Sequence, residues 1–143
     1  MSKYSAGKLK HLVNKNLEQL NCFSNDLIEH LILVHNFNDN NQLFTLDIDG
    51  GELRLKSEPF DFYPFFKGKL VTNGDELFWR GQFHHKNEIE SLIPLTSLYI
   101  DIHGRVSINN LNEWDYGIQS DELYAEITSS VFDAAISMKL ITP

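Results

Sequence analysis

The chain has little of what usually declares a compartment or a chemistry. One of its 143 residues is cysteine, Cys22, so no internal disulfide can form and the cross-linked framework of a small secreted domain is excluded. The longest unbroken apolar run is Leu31-Ile32-Leu33-Val34, far short of the roughly 20 residues that a membrane-spanning helix needs. The opening residues hold no apolar signal-peptide core, and position 2 is serine, not a glycine to be myristoylated. The cytoplasm is therefore the expected location. Bases are scarce: 12 Lys and Arg against 20 Asp and Glu give a net charge of −8. An acidic body repels nucleic-acid phosphates and favours basic partners. There is no internal repeat, low-complexity tract or linker.

What is present describes an ordinary globular domain. Hydrophobic residues make up 42% and aromatics 12% of the chain, too much apolar and ring content for a disordered segment. One domain spanning 1–143 is expected, large enough to fold without a metal or disulfide. Charge is uneven. Lys3, Lys8, Lys10 and Lys15 give the first 15 residues +4, leaving 8 bases against 20 acids, or −12, in the remainder.

Periodicity predicts an amphipathic helix over residues 7–21, with Leu9, Leu12, Val13, Leu17 and Leu20 on one face and Asn21 as its end. Residues 27–37 fit a second helix after Ser24 or a buried strand. The Asn-rich stretch 36–41 and the strand after it favour the strand, paired in a hairpin. Residues 42–48 alternate as a strand, Asp49-Gly50-Gly51 turns, and 52–56 returns. Residues 57–64 read as a loop anchored by Phe60, Phe62 and Tyr63. Asn73-Gly74 predicts a type I′ hairpin across 65–83 that pairs Leu70 with Leu77, Gly68 with Trp79 and Phe66 with Gly81, so that a ring covers each glycine. On the other face the same register sets Lys67 opposite Arg80. A short helix is expected at 87–93, ending before Pro94. Strands 98–102 and 106–108 should then pair Ile102 with Val106 and Ile100 with Ile108 around a three-residue loop. Residues 109–119, with Asn109, Asn110 and Asn112, form a polar, aromatic loop. A helix of about 18–20 residues follows the N-cap Ser120, buried along Leu123, Ile127, Val131, Ala135 and Met138. Strands grouped between terminal helices make this an α+β fold, an antiparallel sheet of consecutive hairpins with both helices on one face.

No catalytic motif stands out. Asp47-Ile48-Asp49-Gly50 resembles part of a calcium loop, but the positions that should start and close it are Thr45 and Lys56. His84 and His85 are adjacent, so on a strand they point to opposite faces. His30 and His35 are five apart and share no helix face. No metal or other cofactor is expected. Arg54, Lys56, Lys67, Lys69 and Arg80 can share the outer sheet face, either to meet an anion or an acidic partner, or neutralised by Asp47, Glu52 and Glu76.

Trp114, Asp115 and Tyr116, followed by Asp121, Glu122 and Glu126, combine rings that can anchor with acids that can steer, the composition of a surface for a basic protein. The profile of a small, acidic, motif-free domain with an antiparallel sheet resembles that of bacterial immunity proteins, which bind and block cationic toxin domains. The expected function is thus a non-enzymatic protein-binding module, possibly an antitoxin-type inhibitor, contacting its partner through these six residues, with no nucleic acid and no membrane involved. Two alternatives stand beside it. One is a ligand-binding or enzymatic domain with a pocket of Trp79, Phe83, Tyr99 and Phe132, served by His84, Asp101, His103 and Arg105. The other is a homo-oligomeric subunit joined through sheet edges.

Overall fold

A computed structural model describes residues 6–38, 42–111 and 113–141. Asp39, Asn40, Asn41 and Asn112, read above as turn and loop residues, lie outside these, as do residues 1–5 and 142–143. The described chain is α+β. Helix α1 (Ala6–Phe37) precedes strands β1 (Thr45–Asp49), β2 (Glu52–Lys56), β3 (Phe65–Asn73), β4 (Glu76–Lys86), β5 (Leu92–Ile100), β6 (Arg105–Ile108) and β7 (Tyr116–Gly117), and α2 (Asp121–Ser137) closes the order. The strands pair in sequence order as one antiparallel sheet curled into a half-barrel, with both helices on its apolar face. No helix among the described residues is long and apolar enough to cross a membrane.

The hairpin expected at 27–37 is replaced by helix. α1 runs unbroken through both apolar segments, burying Asn16, Leu20, Ser24, Leu27, Leu31 and His35. Those positions are four, four, three, four and four apart, a helical stripe that includes three polar residues and so escapes an apolar-only search. The polar ones are satisfied locally or across the core. Asn16 Nδ2 donates to Leu12 O at 3.0 Å, and Ser24 Oγ donates to Asn21 O at 2.9 Å, bonds that turn apparent helix stops into helix interior. His35 Nδ1 meets the Tyr124 hydroxyl at 2.7 Å, and His30 Nε2 donates to Ser120 O at 3.2 Å. Both histidines thus fasten α1 to α2, although they occupy different faces of α1.

The β3–β4 hairpin exists in a different register. Asn73 pairs with Glu76, so the loop is Gly74-Asp75, with Gly74 at φ +64° in the first central position, where a type II′ turn requires glycine. The pairs are Leu70 with Trp79, Gly68 with Gly81, and Phe66 with Phe83. Moving the register by two residues preserves every face, so the covering of glycine survives on the diagonal. Trp79 lies over Gly68 and Phe66 over Gly81, each within 3.0 Å of where a Cβ would stand. On the other face Lys67 opposes Gln82, and it is Lys69 that opposes Arg80.

The helix expected at 87–93 is a tight loop. Asn87 Oδ1 accepts from Ile89 N at 3.1 Å and Ser91 N at 2.9 Å, and Glu90 takes φ +63°. Pro94 stands inside β5 opposite His84, beside a shift in register after Phe83, the kind of ladder irregularity where a missing N–H is tolerated. The β5–β6 register also moves by two, to Ile100 with Val106 and Leu98 with Ile108. Met138, placed above on the buried stripe of the last helix, lies just past its end and is 45% exposed. Ser120 holds the N-cap position without a side-chain capping bond. Phe62, an expected loop anchor, is fully buried, and its backbone bridges to Ser57.

Candidate functional site

Between β6 and β7, Asn109, Glu113 and Asp115 stand beside α2, and Tyr116 returns to the sheet edge. Asn109 fixes this placement. At φ +60° its Oδ1 accepts from Ser97 N at 2.8 Å, and its Nδ2 donates to Ser130 Oγ at 3.1 Å. Ser130 Oγ in turn accepts from Thr96 Oγ1 at 2.9 Å. β5, β6 and α2 are tied together at this point, and a groove of about 360 Å³ opens beside it. Four carboxylates line the groove, Glu113 and Asp115 from the loop and Glu126 and Asp133 from α2, with no Lys, Arg or His among its described lining residues.

Tyr116 stands in the same groove, half-buried, paired through β7 with Val106. Partial burial, and then the charges of Glu126, Glu122 and Asp115, push its phenol above the ordinary tyrosine range. Three carboxylates thus act on one hydroxyl, in keeping with the concentration of acid at this end of the molecule.

The structure therefore brings together Asp115, Tyr116 and Glu126 of the six residues picked out above. Glu122 acts on the groove through its charge. Asp121 and Glu122 are exposed in the first turn of α2, where they complement the positive end of the helix. Trp114 is outside the groove lining. It is half-buried, stacked on Phe78 at 5.4 Å between ring centroids, with the Arg105 guanidinium 5.9 Å from its own centroid. Glu113 opens the segment singled out but is not among the six contact residues, and Asp133 and Asn109 were missed. Asp133 is seven residues beyond Glu126, two helical turns along one face, a spacing that could have found it.

The second set of candidates divides. Asp101, His103 and Arg105 do converge, at the β5–β6 turn, in a cleft of about 320 Å³. Asp101, 5% exposed, is occupied in shaping that turn: Oδ1 accepts from His103 N at 2.9 Å and Arg105 N at 2.8 Å, and Oδ2 accepts from Arg105 Nε at 2.7 Å. Asp101→Ala is expected to cost about 1–3 kcal/mol, because two backbone N–H groups of the turn and the Arg105 guanidinium lose one buried, charged acceptor; urea titration measures it. His84 lies elsewhere, on the outer face of β4. Trp79, Phe83 and Phe132 belong to the filled core, while Tyr99 opposes Arg80 on the outer face, so these four rings line no common pocket. Cys22 is an exposed residue of α1. No group of three or more His, Cys, Asp or Glu side chains among the described residues is arranged to hold a metal ion.

Compared with known proteins, the chain matches no family model, no curated protein and no solved structure.

Proposed function

We propose that this chain is a non-enzymatic protein-binding module, of the kind that neutralises a basic toxin domain, and that a lysine- or arginine-bearing segment of its partner seats in the groove between Asn109, Glu113, Asp115 and Tyr116 on one side and α2 on the other. The observation that carries the proposal is the pairing of shape and charge. Glu113, Asp115, Glu126 and Asp133 surround one concavity without a basic side chain in its described lining. A groove of about 360 Å³ takes side chains rather than a folded domain, so it supplies an anchor point within a larger contact. Tyr116 adds a ring beside the carboxylates, and aromatic residues are enriched where interfaces concentrate their binding energy. The acidic field steers a cationic surface toward it and sets a salt-dependent association rate.

Tagged protein recovered from its native cells at low salt is expected to carry a basic protein in near-stoichiometric amount, lost at high salt. The triple variant Asp115→Lys, Glu122→Lys and Glu126→Lys should weaken that complex about tenfold or more, with the melting temperature unchanged because all three side chains are exposed. Unchanged affinity in the triple variant removes the groove as the contact surface. Absence of any salt-sensitive companion removes the binding-module proposal itself.

A further inference from the structure

The outer face of the sheet presents the opposite charge. Strand alternation places Arg54 of β2, Lys67 and Lys69 of β3, and Arg80 of β4 on it together. Among the described residues none of the acids expected to neutralise this face, Asp47, Glu52 and Glu76, forms an ion pair with it; Lys56 alone is paired, with Asp49 at 2.8 Å. Among the described residues, none of Arg54, Lys67, Lys69 or Arg80 has a carboxylate within ion-pair distance. Arg54 and Lys67 instead sit 5.5 and 5.6 Å from the Phe65 ring centroid. Lys69 faces Arg80 directly, an arrangement of like charges that costs stability unless something anionic lies between them.

A second, independent observation lies beneath these cations. His84, 8% exposed, opposes Phe65 at the Arg54 end of this zone, four residues along β4 from Arg80. Its Nε2 is 2.6 Å from Gln82 Oε1, and Gln82 Nε2 donates to Ser97 Oγ at 2.6 Å. Gln82 thus presents its oxygen to the ring, so His84 Nε2 carries the proton and Nδ1 holds a lone pair. That buried Nδ1 has no hydrogen-bond partner, and neither has the buried Nε of Arg80. Unsatisfied buried polar atoms are uncommon and ask for an explanation.

We infer that the outer face around Arg54, Lys67, Lys69 and Arg80 binds a small, multiply charged phosphate ligand, of the size and charge of pyrophosphate, above His84. The extent of the zone sets the size. Its cations span three strands, about 10 Å across, and four residues along β4 from Arg80 to His84, about 13 Å of backbone that the long Arg and Lys side chains shorten. Asp47, Asp49 and Glu52 bound it on the β1–β2 side, and Glu76 bounds it at the end of β4. A nucleic-acid backbone would have to continue across those acids; a diphosphate need not.

Protons report occupancy of this site. Burial first, and then the charges of Lys67 and Arg80, hold His84 below the ordinary histidine range. Arg54 of β2 lies against Phe65, the residue between it and His84, and the β5 residue opposite His84, Pro94, is uncharged. An anion that neutralises Lys67 and Arg80 removes two of the three effects, so His84 gains a proton on binding. Affinity must then rise as pH falls through the range between its free and bound values.

The test is calorimetric titration of the whole chain with inorganic pyrophosphate at physiological salt, at about pH 6 and about pH 8. The expected result is saturable binding, tighter at the lower pH, with proton uptake seen as a dependence of the heat on buffer ionisation. The double variant Lys67→Gln and Arg80→Gln should weaken binding about tenfold or more. His84→Gln should abolish the proton uptake. Arg54→Gln, on β2 and partly exposed, enough to leave the fold intact, gives a second reading should the double variant fold poorly, and is expected to weaken binding in the same direction. Anionic-lipid vesicles and a single-stranded oligonucleotide are the competing sources of phosphate. Tighter binding of either than of pyrophosphate overturns the inference, as does absence of saturable binding in millimolar pyrophosphate or an affinity indifferent to these substitutions.

Discussion

Phe62→Ala is expected to lower the stability of the fold by about 3–5 kcal/mol, the cost of deleting a buried ring and leaving its cavity. Phe62 comes from the segment between β2 and β3, outside every named strand, yet it is 1% exposed. Its ring lies 5.9 Å from Phe132 of α2 and 6.2 Å from His85 of β4, centroid to centroid, so one loop residue joins a helix to the sheet. The backbone is held in place around it. Ser57 N and Phe62 O are 2.8 Å apart, the reciprocal bond is 3.0 Å, and Ser57 Oγ donates to Leu43 O at 2.8 Å. Against a total stability of about 5–15 kcal/mol for a typical domain, such a loss should move the urea midpoint far down with an unchanged slope. A loss below about 1 kcal/mol would show that residues 57–64 are a dispensable surface loop.

Gly81→Ala is expected to cost about 1–3 kcal/mol, by overpacking rather than by cavity formation. A Cβ at Gly81 would fall within 3.0 Å of the Phe66 and Trp79 rings, and one at Gly68 would meet Trp79 equally closely. The two glycines face each other across β3 and β4, and the rings of Phe66 and Trp79, 5.8 Å apart, lie over the bare backbone. The sheet is therefore closed by aromatic side chains where it has no side chains of its own. A double-mutant cycle identifies the cause. Phe66→Leu removes the ring atoms that would collide, so Gly81→Ala should cost less in the Phe66→Leu background than alone. Equal costs in both backgrounds would place the effect in strand propensity instead of in this contact.

These two positions also mark how far the chain could be read before folding. The glycines and rings of 65–83 announced mutual cover, and they have it. The register that produces it is shifted by two residues, because the loop is Gly74-Asp75 rather than Asn73-Gly74. A two-residue shift leaves every side chain on the same face, so alternation could not distinguish the two pairings. The β5–β6 pairing moved by the same amount for the same reason, once the Asp101 carboxylate drew Ile102 and His103 into the turn. In α1 the difficulty was chemical. Asn16, Ser24 and His35 occupy buried helix positions but add nothing to an apolar pattern, and Asn21 and Ser24 read as a helix end and a new start, because the partners Leu12 O, Asn21 O and the Tyr124 hydroxyl exist only after the helix forms and packs. The acidic groove was half legible. Asp115, Tyr116 and Glu126 were picked from composition, but Asp133 joins them only because Asn109 pins the loop to Ser130.

By itself, the sequence determined the α+β class, the chain of hairpins between two helices, the faces of the central strands and the excess of acid. All of these follow from local periodicity and composition, which act over a few residues and need no knowledge of distant neighbours. Only the tertiary structure decided the strand registers, the unbroken course of α1, the turning of Trp114 onto Phe78 and the separation of an acidic groove from a basic sheet face. Each of those depends on side chains far apart in the chain meeting at hydrogen-bonding or packing distance, and such meetings carry no signal in the spacing of neighbouring residues.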